Sequence, residues 1–312
     1  MMLALLRSRR AAAAGMLTGL LAAAGCGGGG MSVGNADPQA TRLDPDGCAA
    51  AAFVPVFDAL SLALDTSRFI VADVPRLLAA GADESDSLVS LPGRRGSFVL
   101  KWYDADRDGA LSSGDALRLD TAVAETSQHV PRGGGLHVAE LTIGAGGFAT
   151  PALYADLVPA AHDSTGVSLA GSLSIAYARG AIGERLTVGG GASGLRRVAA
   201  DGDALLDSLD LILEVQPYSH AWTLRGRASI ADARGGLLTL EMTSPLRGAL
   251  RTDDRPGEVE AGAFVVKRAD GGLVEGLVIG PDQVRLRADA NGDGIYEESV
   301  TAGWSALTGG GH

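Results

Sequence analysis

Trp222-Thr223-Leu224-Arg225-Gly226-Arg227-Ala228-Ser229-Ile230 alternates along its length. Trp222, Leu224, Ala228 and Ile230 fall on one face, and Thr223, Arg225, Arg227 and Ser229 on the other. A period of two marks a strand with one buried face. Val284-Arg285-Leu286-Arg287-Ala288 repeats the pattern, and a one-residue slip there would bury two arginines. Leu211-Ile212-Leu213-Glu214-Val215 is an apolar run of strand length. Further candidate strands lie at 98–103, 117–123, 136–143, 167–177, 237–242, 264–267 and 273–279. Gly or Asp breaks separate these short runs, which indicates antiparallel pairing. The expected fold is mainly β, either an antiparallel β-sandwich or a strongly curved sheet.

The chain before these strands reads differently. Residues 49–95 form a mixed, partly helical lead-in, with Pro55 and Pro75 limiting two short helices. Phe69-Ile70-Val71-Ala72 reads as a strand between them. Residues 26–48 carry Gly and Pro without periodicity and read as a flexible tether. One β-rich domain then covers 49–308, and 309–312 form a flexible tail.

Two acidic loops follow strand-like runs. In the first, Asp104, Asp106 and Asp108 occupy alternate positions and Gly109 permits a sharp turn. Ala110 offers a carbonyl, Ser112 a hydroxyl, and Asp115 a carboxylate at the twelfth position. Ca²⁺ is a hard cation that takes about six to eight oxygens, which is why carboxylates converge around such a turn. The loop resembles the EF-hand and dockerin loops, with Asp115 replacing their usual Glu. In the second, Asp289, Asn291 and Asp293 precede Gly294, the Ile295 carbonyl and Glu297. This spacing is similar to the calcium-binding hairpin loops of integrin-type propellers. Both loops are expected to join antiparallel strands, with Ile295, Glu297 and Ser299 on one face of the returning strand. The expected cofactor is structural calcium.

The N-terminus carries an address. Arg7, Arg9 and Arg10 precede an apolar stretch at 11–22, then Ala23-Ala24-Gly25-Cys26. A basic start, an apolar middle and a small-residue cut make a secretory signal. With Cys directly after the cut, it resembles the lipobox of bacterial lipoproteins, although Ala23 stands where Leu is usual. The resemblance implies removal of residues 1–25 and lipidation of Cys26. Gly27, where an inner-membrane protein of that class has Asp, implies sorting to the outer membrane of the bacterial cell envelope. As a whole the chain resembles β-rich proteobacterial lipoproteins with a C-terminal D-x-[DN]-G-D-G hairpin ending in Trp, here Trp304. That resemblance implies a location rather than an activity.

The chain has 26 basic and 37 acidic residues, and removing 1–25 takes away three Arg and no acid, leaving a charge of −14. Such a surface repels nucleic acid and anionic lipid, so the lipid anchor alone would hold the membrane. Cys48 is the only thiol left after lipidation and reads as a buried, inert residue.

Signals for catalysis are absent. The chain holds no G-x-S-x-G, H-E-x-x-H or C-x-x-C, and His129, His137, His162 and His220 are scattered. Gly189-Gly190-Gly191-Ala192-Ser193-Gly194 matches G-x-G-x-x-G, with Glu214 beyond it. No βαβ rhythm surrounds it, and Asp201-Gly202-Asp203 would break the required helix. It reads as a glycine turn between strands. The expected role is a non-catalytic envelope lipoprotein presenting a calcium-stiffened β-domain for binding or structure. A carrier of lipid or another apolar ligand on a curved sheet is the alternative, marked by an unfilled apolar cavity. A periplasmic hydrolase would need a cleft gathering His and carboxylates.

Overall fold

One helix organises the body. A computed structural model describes residues 43–79, 87–90, 97–121, 134–139, 141–144, 147–156, 167–232, 236–252 and 256–309. The signal, Cys26, the tether as far as residue 42, His129, His162 and residues 310–312 lie outside the described residues. Helix α1 spans Pro45–Arg68. Asp44 caps it, accepting the Gly47 N–H at 3.2 Å, and Pro45 takes the first helical position. The tether therefore ends before Leu43, which is buried, and not at residue 48 as expected. Cys48 is fully buried on the first turns of α1.

The helix also continues through Pro55 for 24 residues. An interior proline costs about 3 kcal/mol. Here burial offsets that cost, since Ala52, Phe53, Val56, Ala59, Leu60, Ala63 and Leu64 are all inside. A π-helical turn (Phe69–Asp73) and helix α2 (Val74–Ala79) follow, so the strand expected at Phe69 is helical.

The strands are β1 (Ser87–Ser90), β2 (Ser97–Tyr103), β3 (Ala116–Thr121), β4 (Gly134–Ala139) and β5 (Thr142–Gly144). Then come β6 (Gly147–Asp156), β7 (Ser168–Arg179), β8 (Glu184–Val198), β9 (Ala204–Gln216) and β10 (Ala221–Asp232). The last are β11 (Gly236–Leu250), β12 (Pro256–Arg268), β13 (Leu273–Gly280), β14 (Gln283–Asp289) and β15 (Glu298–Gly303), before helix α3 (Trp304–Leu307). They form one antiparallel meander in chain order, with β5 attached to β6 beside it.

Helix α1 touches every strand from β7 to β15. Trp222 at the start of β10 and Trp304 just beyond β15 stack with ring centroids 6.4 Å apart. Five strand spacings measure about 24 Å along a sheet. The sheet must therefore curl around the helix until its flanks approach. Of the two expected architectures, the strongly curved sheet is the one present. Phe53 of α1 fills the middle, with its ring 4.6 Å from Phe264 and 5.1 Å from Trp304.

The expected faces hold. Trp222, Leu224, Ala228 and Ile230 are buried, as are Val284, Leu286 and Ala288, while Arg225, Arg227, Arg285 and Arg287 are exposed. On the convex side Arg227 lies opposite Asp210 and Glu241 across the strands, and Arg287 bonds Glu275 at 2.7 Å. A charged outer face and an apolar inner one reverse the polarity of a lipid-embedded barrel.

The glycine cluster is not a turn. It lies inside β8, where the register with β7 shifts between Gly171 and Leu173. Gly194 adopts a φ of 65°, and a Cβ there would sit 2.7 Å from the Leu206 carbonyl oxygen. The bulge changes which residues face inward. Before it Leu186 and Val188 are buried; after it Leu195 and Arg197 are.

Candidate functional site

Both acidic loops are hairpin connections, as expected. The first joins β2 to β3 and the second β14 to β15, each an antiparallel pair. Because successive strands alternate direction, the two loops lie on opposite rims of the sheet.

Their internal geometry matches residue for residue. In the first loop the Gly109 N–H donates to Asp104 Oδ2 at 2.9 Å and the Arg107 N–H to Asp104 Oδ1 at 2.6 Å. In the second the Gly294 N–H donates to Asp289 Oδ2 at 2.7 Å and the Gly292 N–H to Asp289 Oδ1 at 2.7 Å. Asp108 Oδ1 accepts from Ala110 N–H at 2.7 Å, and Asp293 Oδ1 from Ile295 N–H at 2.8 Å. The fourth and sixth residues take left-handed φ in both loops, Arg107 (62°) and Gly109 (76°) in one and Gly292 (75°) and Gly294 (86°) in the other.

The folding brings carboxylates together. One carboxylate oxygen each from Asp104, Asp106 and Asp108 lie within 4.8 Å of one another, and so do those from Asp289, Asp293 and Glu297. Among the described residues these are the two acidic groups able to hold a metal ion. Burial raises the affinity of Asp104 and Asp289 for protons, but the loop N–H groups outweigh it and hold both pKa values below 3.8. Both are thus ionised at neutral pH. Ser112 Oγ donates to Asp106 Oδ2 at 3.1 Å, and Asn291 Nδ2 to Asp293 Oδ2 at 3.0 Å. The Ala110 and Ile295 carbonyls occupy the same place in each loop.

Two sequence expectations need correction. Asp115 does not join the acidic group. It is fully buried and accepts from the Ala105 N–H at 2.9 Å, the Ser112 N–H at 2.8 Å and Trp102 Nε1 at 3.2 Å. It braces the loop base, because a short carboxylate surrounded by three donors is held where they are. Nor do Ile295 and Glu297 belong to the returning strand. β15 starts at Glu298, and Glu297 Oε2 turns back to accept the Ala290 N–H at 2.9 Å.

No protein-family model, curated protein or solved structure matches this chain. Its chemistry is therefore read from its own atoms. Both donor sets consist of oxygen alone, which suits a hard divalent cation and not a soft one.

Sequence reasoning missed the ionic contacts that seat α1. Arg68 Nε meets Glu184 Oε2 at 2.8 Å, with both side chains buried. Burial, and then the Glu184 carboxylate, push the neighbouring Tyr177 phenol far above its ordinary range. At the other end of β8, Arg197 Nε meets Asp58 Oδ2 at 2.5 Å. Its two Nη atoms grip Asp201 at 2.8 and 3.0 Å. Only the paired Arg196-Arg197 beside Asp201 hinted at this. His137 on β4 and His220 in the β9–β10 turn are exposed and belong to separate elements.

Proposed function

We propose that this chain is a non-catalytic lipoprotein of the bacterial outer membrane, anchored through Cys26, whose β-body is stiffened by calcium at two hairpin loops. The observation that carries the metal reading is the matched hydrogen-bond frame of the loops at opposite rims. Two unrelated turns would not converge on the same left-handed positions and the same ionised first aspartate. The lipobox-like Ala23-Ala24-Gly25-Cys26 supports the anchor.

The carrier alternative has less support. Across β7–β15 the concave face that would hold an apolar ligand is occupied by α1. The cleft beside Phe57, Leu64, Leu213 and Trp304 is about 110 Å³, below the roughly 300 Å³ at which ligand pockets begin.

Calorimetry tests the metal reading. With dissociation constants of about 10⁻⁴–10⁻³ M, about 5 mM calcium adds about 1–2 kcal/mol per site, a few degrees in Tm. Asp104→Asn with Asp106→Asn, or Asp289→Asn with Asp293→Asn, should each remove part of the shift. An unchanged Tm in calcium would leave two plain turns. For the anchor, Cys26→Ser should release the protein from EDTA-washed membranes; continued fractionation with those membranes, residues 1–25 retained, would refute it.

A further inference from the structure

We propose that the rim bearing Ile295 is the face on which the body rests against a phospholipid bilayer, with calcium between the acidic rim and the headgroups. The inference rests on the anchor and metal readings above. Its first support is where the chain enters the fold. Leu43, the first described residue, stands 17 residues after Cys26. Arg68 at the far end of α1 bonds Glu184 beside the Ile182 rim, and α1 packs against β15, so its first turn points to the rim where β15 starts. There burial raises the Asp46 pKa, and the charges of Asp44 and Glu298 raise it further. A chain anchored at Cys26 thus enters at the rim that carries the second acidic loop.

The second support is an apolar residue displayed at the loop tip. Ile295 is 67% exposed, between Gly294 and Tyr296. The loop is held firmly behind it. The Tyr296 ring lies under the Arg287 guanidinium, 4.2 Å from its centroid, and its hydroxyl bonds Glu275. The β12–β13 turn supports the same loop, since a Cβ on Gly292 would lie 2.6 Å from the Gly271 carbonyl oxygen. Ile182 and Tyr218 are also exposed, but they occupy the opposite rim, away from the chain's entry.

Charge decides what must lie between. Asp201 and Asp270 on this rim are paired with Arg197 and Arg268, but Asp289, Asp293 and Glu297 gather at the second loop and would repel anionic headgroups. The second loop offers five donors (Asp289, Asn291, Asp293, the Ile295 carbonyl and Glu297), short of the about six to eight that calcium takes. Lipid phosphate oxygens can complete the shell. One cation then converts repulsion into contact and sets Ile295 against the interface.

The test uses the full Cys26→Ser chain, which carries no acyl group, with vesicles of phosphatidylethanolamine and phosphatidylglycerol. Calcium should make the protein sediment with them, and EDTA should release it. Ile295→Ser should weaken binding at least tenfold while keeping the calcium-induced rise in Tm. Ile182→Ser should bind like the parent, and phosphatidylcholine vesicles should bind far less. A rise in Tm with no sedimentation overturns this proposal and leaves the metal reading intact. No rise and no sedimentation overturns both. Binding lost in Ile182→Ser but kept in Ile295→Ser places the contact on the wrong rim and also overturns it.

Discussion

Arg197 points into the core of a curved sheet and meets Asp58, 139 residues away in the chain, at 2.5 Å. It faces inward because the bulge in β8 reverses the alternation ahead of it. Burial works against its charge, and the bonds to Asp201 and Asp58 outweigh that and keep it ionised. Together with Arg68 and Glu184 it pins the helix to one strand at both ends.

These contacts should be costly to break singly. Glu184→Ala leaves the Arg68 guanidinium buried without its carboxylate, and a loss of about 3–5 kcal/mol is expected. Arg68→Met with Glu184→Leu, which removes both charges, should lose much less. Urea denaturation of the single and paired variants measures the difference.

The first loop carries a strain that the second lacks. Arg107 takes the left-handed conformation that Gly292 takes at the matching position. Arg107→Gly should therefore stabilise the protein by about 1 kcal/mol. Gly292→Ala should destabilise it, through its φ and through contact with Gly271. Thermal midpoints of the two variants should move in opposite directions.

Acid should loosen both loops together. Asp104 and Asp289 hold protons less readily folded than unfolded. Their contribution is complete above the ordinary value of 3.8 and fades as pH falls through their lower folded values. Asp46 has the opposite sign, because its folded pKa is raised. Its charge opposes folding at neutral pH, and stability is regained as pH falls through the raised value toward 3.8. Asp46→Asn should raise the midpoint at pH 7 and change little at pH 3, as circular dichroism melts can show.

Asp115 separates bracing from ligation. Asp115→Asn should unsettle the loop base and alter Trp102 fluorescence, since the indole N–H loses its carboxylate acceptor. Calcium affinity of the second loop, measured by isothermal titration, should stay unchanged.

Strands were legible where one face is wet, as in β10 and β14, because alternation reports burial directly. Helix α1 was legible only as a short helix limited by Pro55, and its full length was not, because the sheet surrounds it. A helix buried on most sides shows no amphipathic stripe, and its two interior cues, alanine and Pro55, point in opposite directions. The inward turn of Arg197 was hidden for a different reason: a bulge resets the phase of everything after it, and no local period reveals that. The acidic loops were readable as spacing, but their side-chain destinations were not. Asp115 had the right position for a ligand and the wrong neighbours.

The order of elements along the chain has a kinetic consequence. The helix that fills the trough is made first, and the strands that enclose it end about 240 residues later, at Gly303. Neighbouring strands can zip as soon as they exist, but the helix has no complete seat until the last hairpin forms. Between those events an aliphatic trough stands open to water, a state prone to self-association. Docking of the first-made helix is thus the step that should limit refolding and decide its yield.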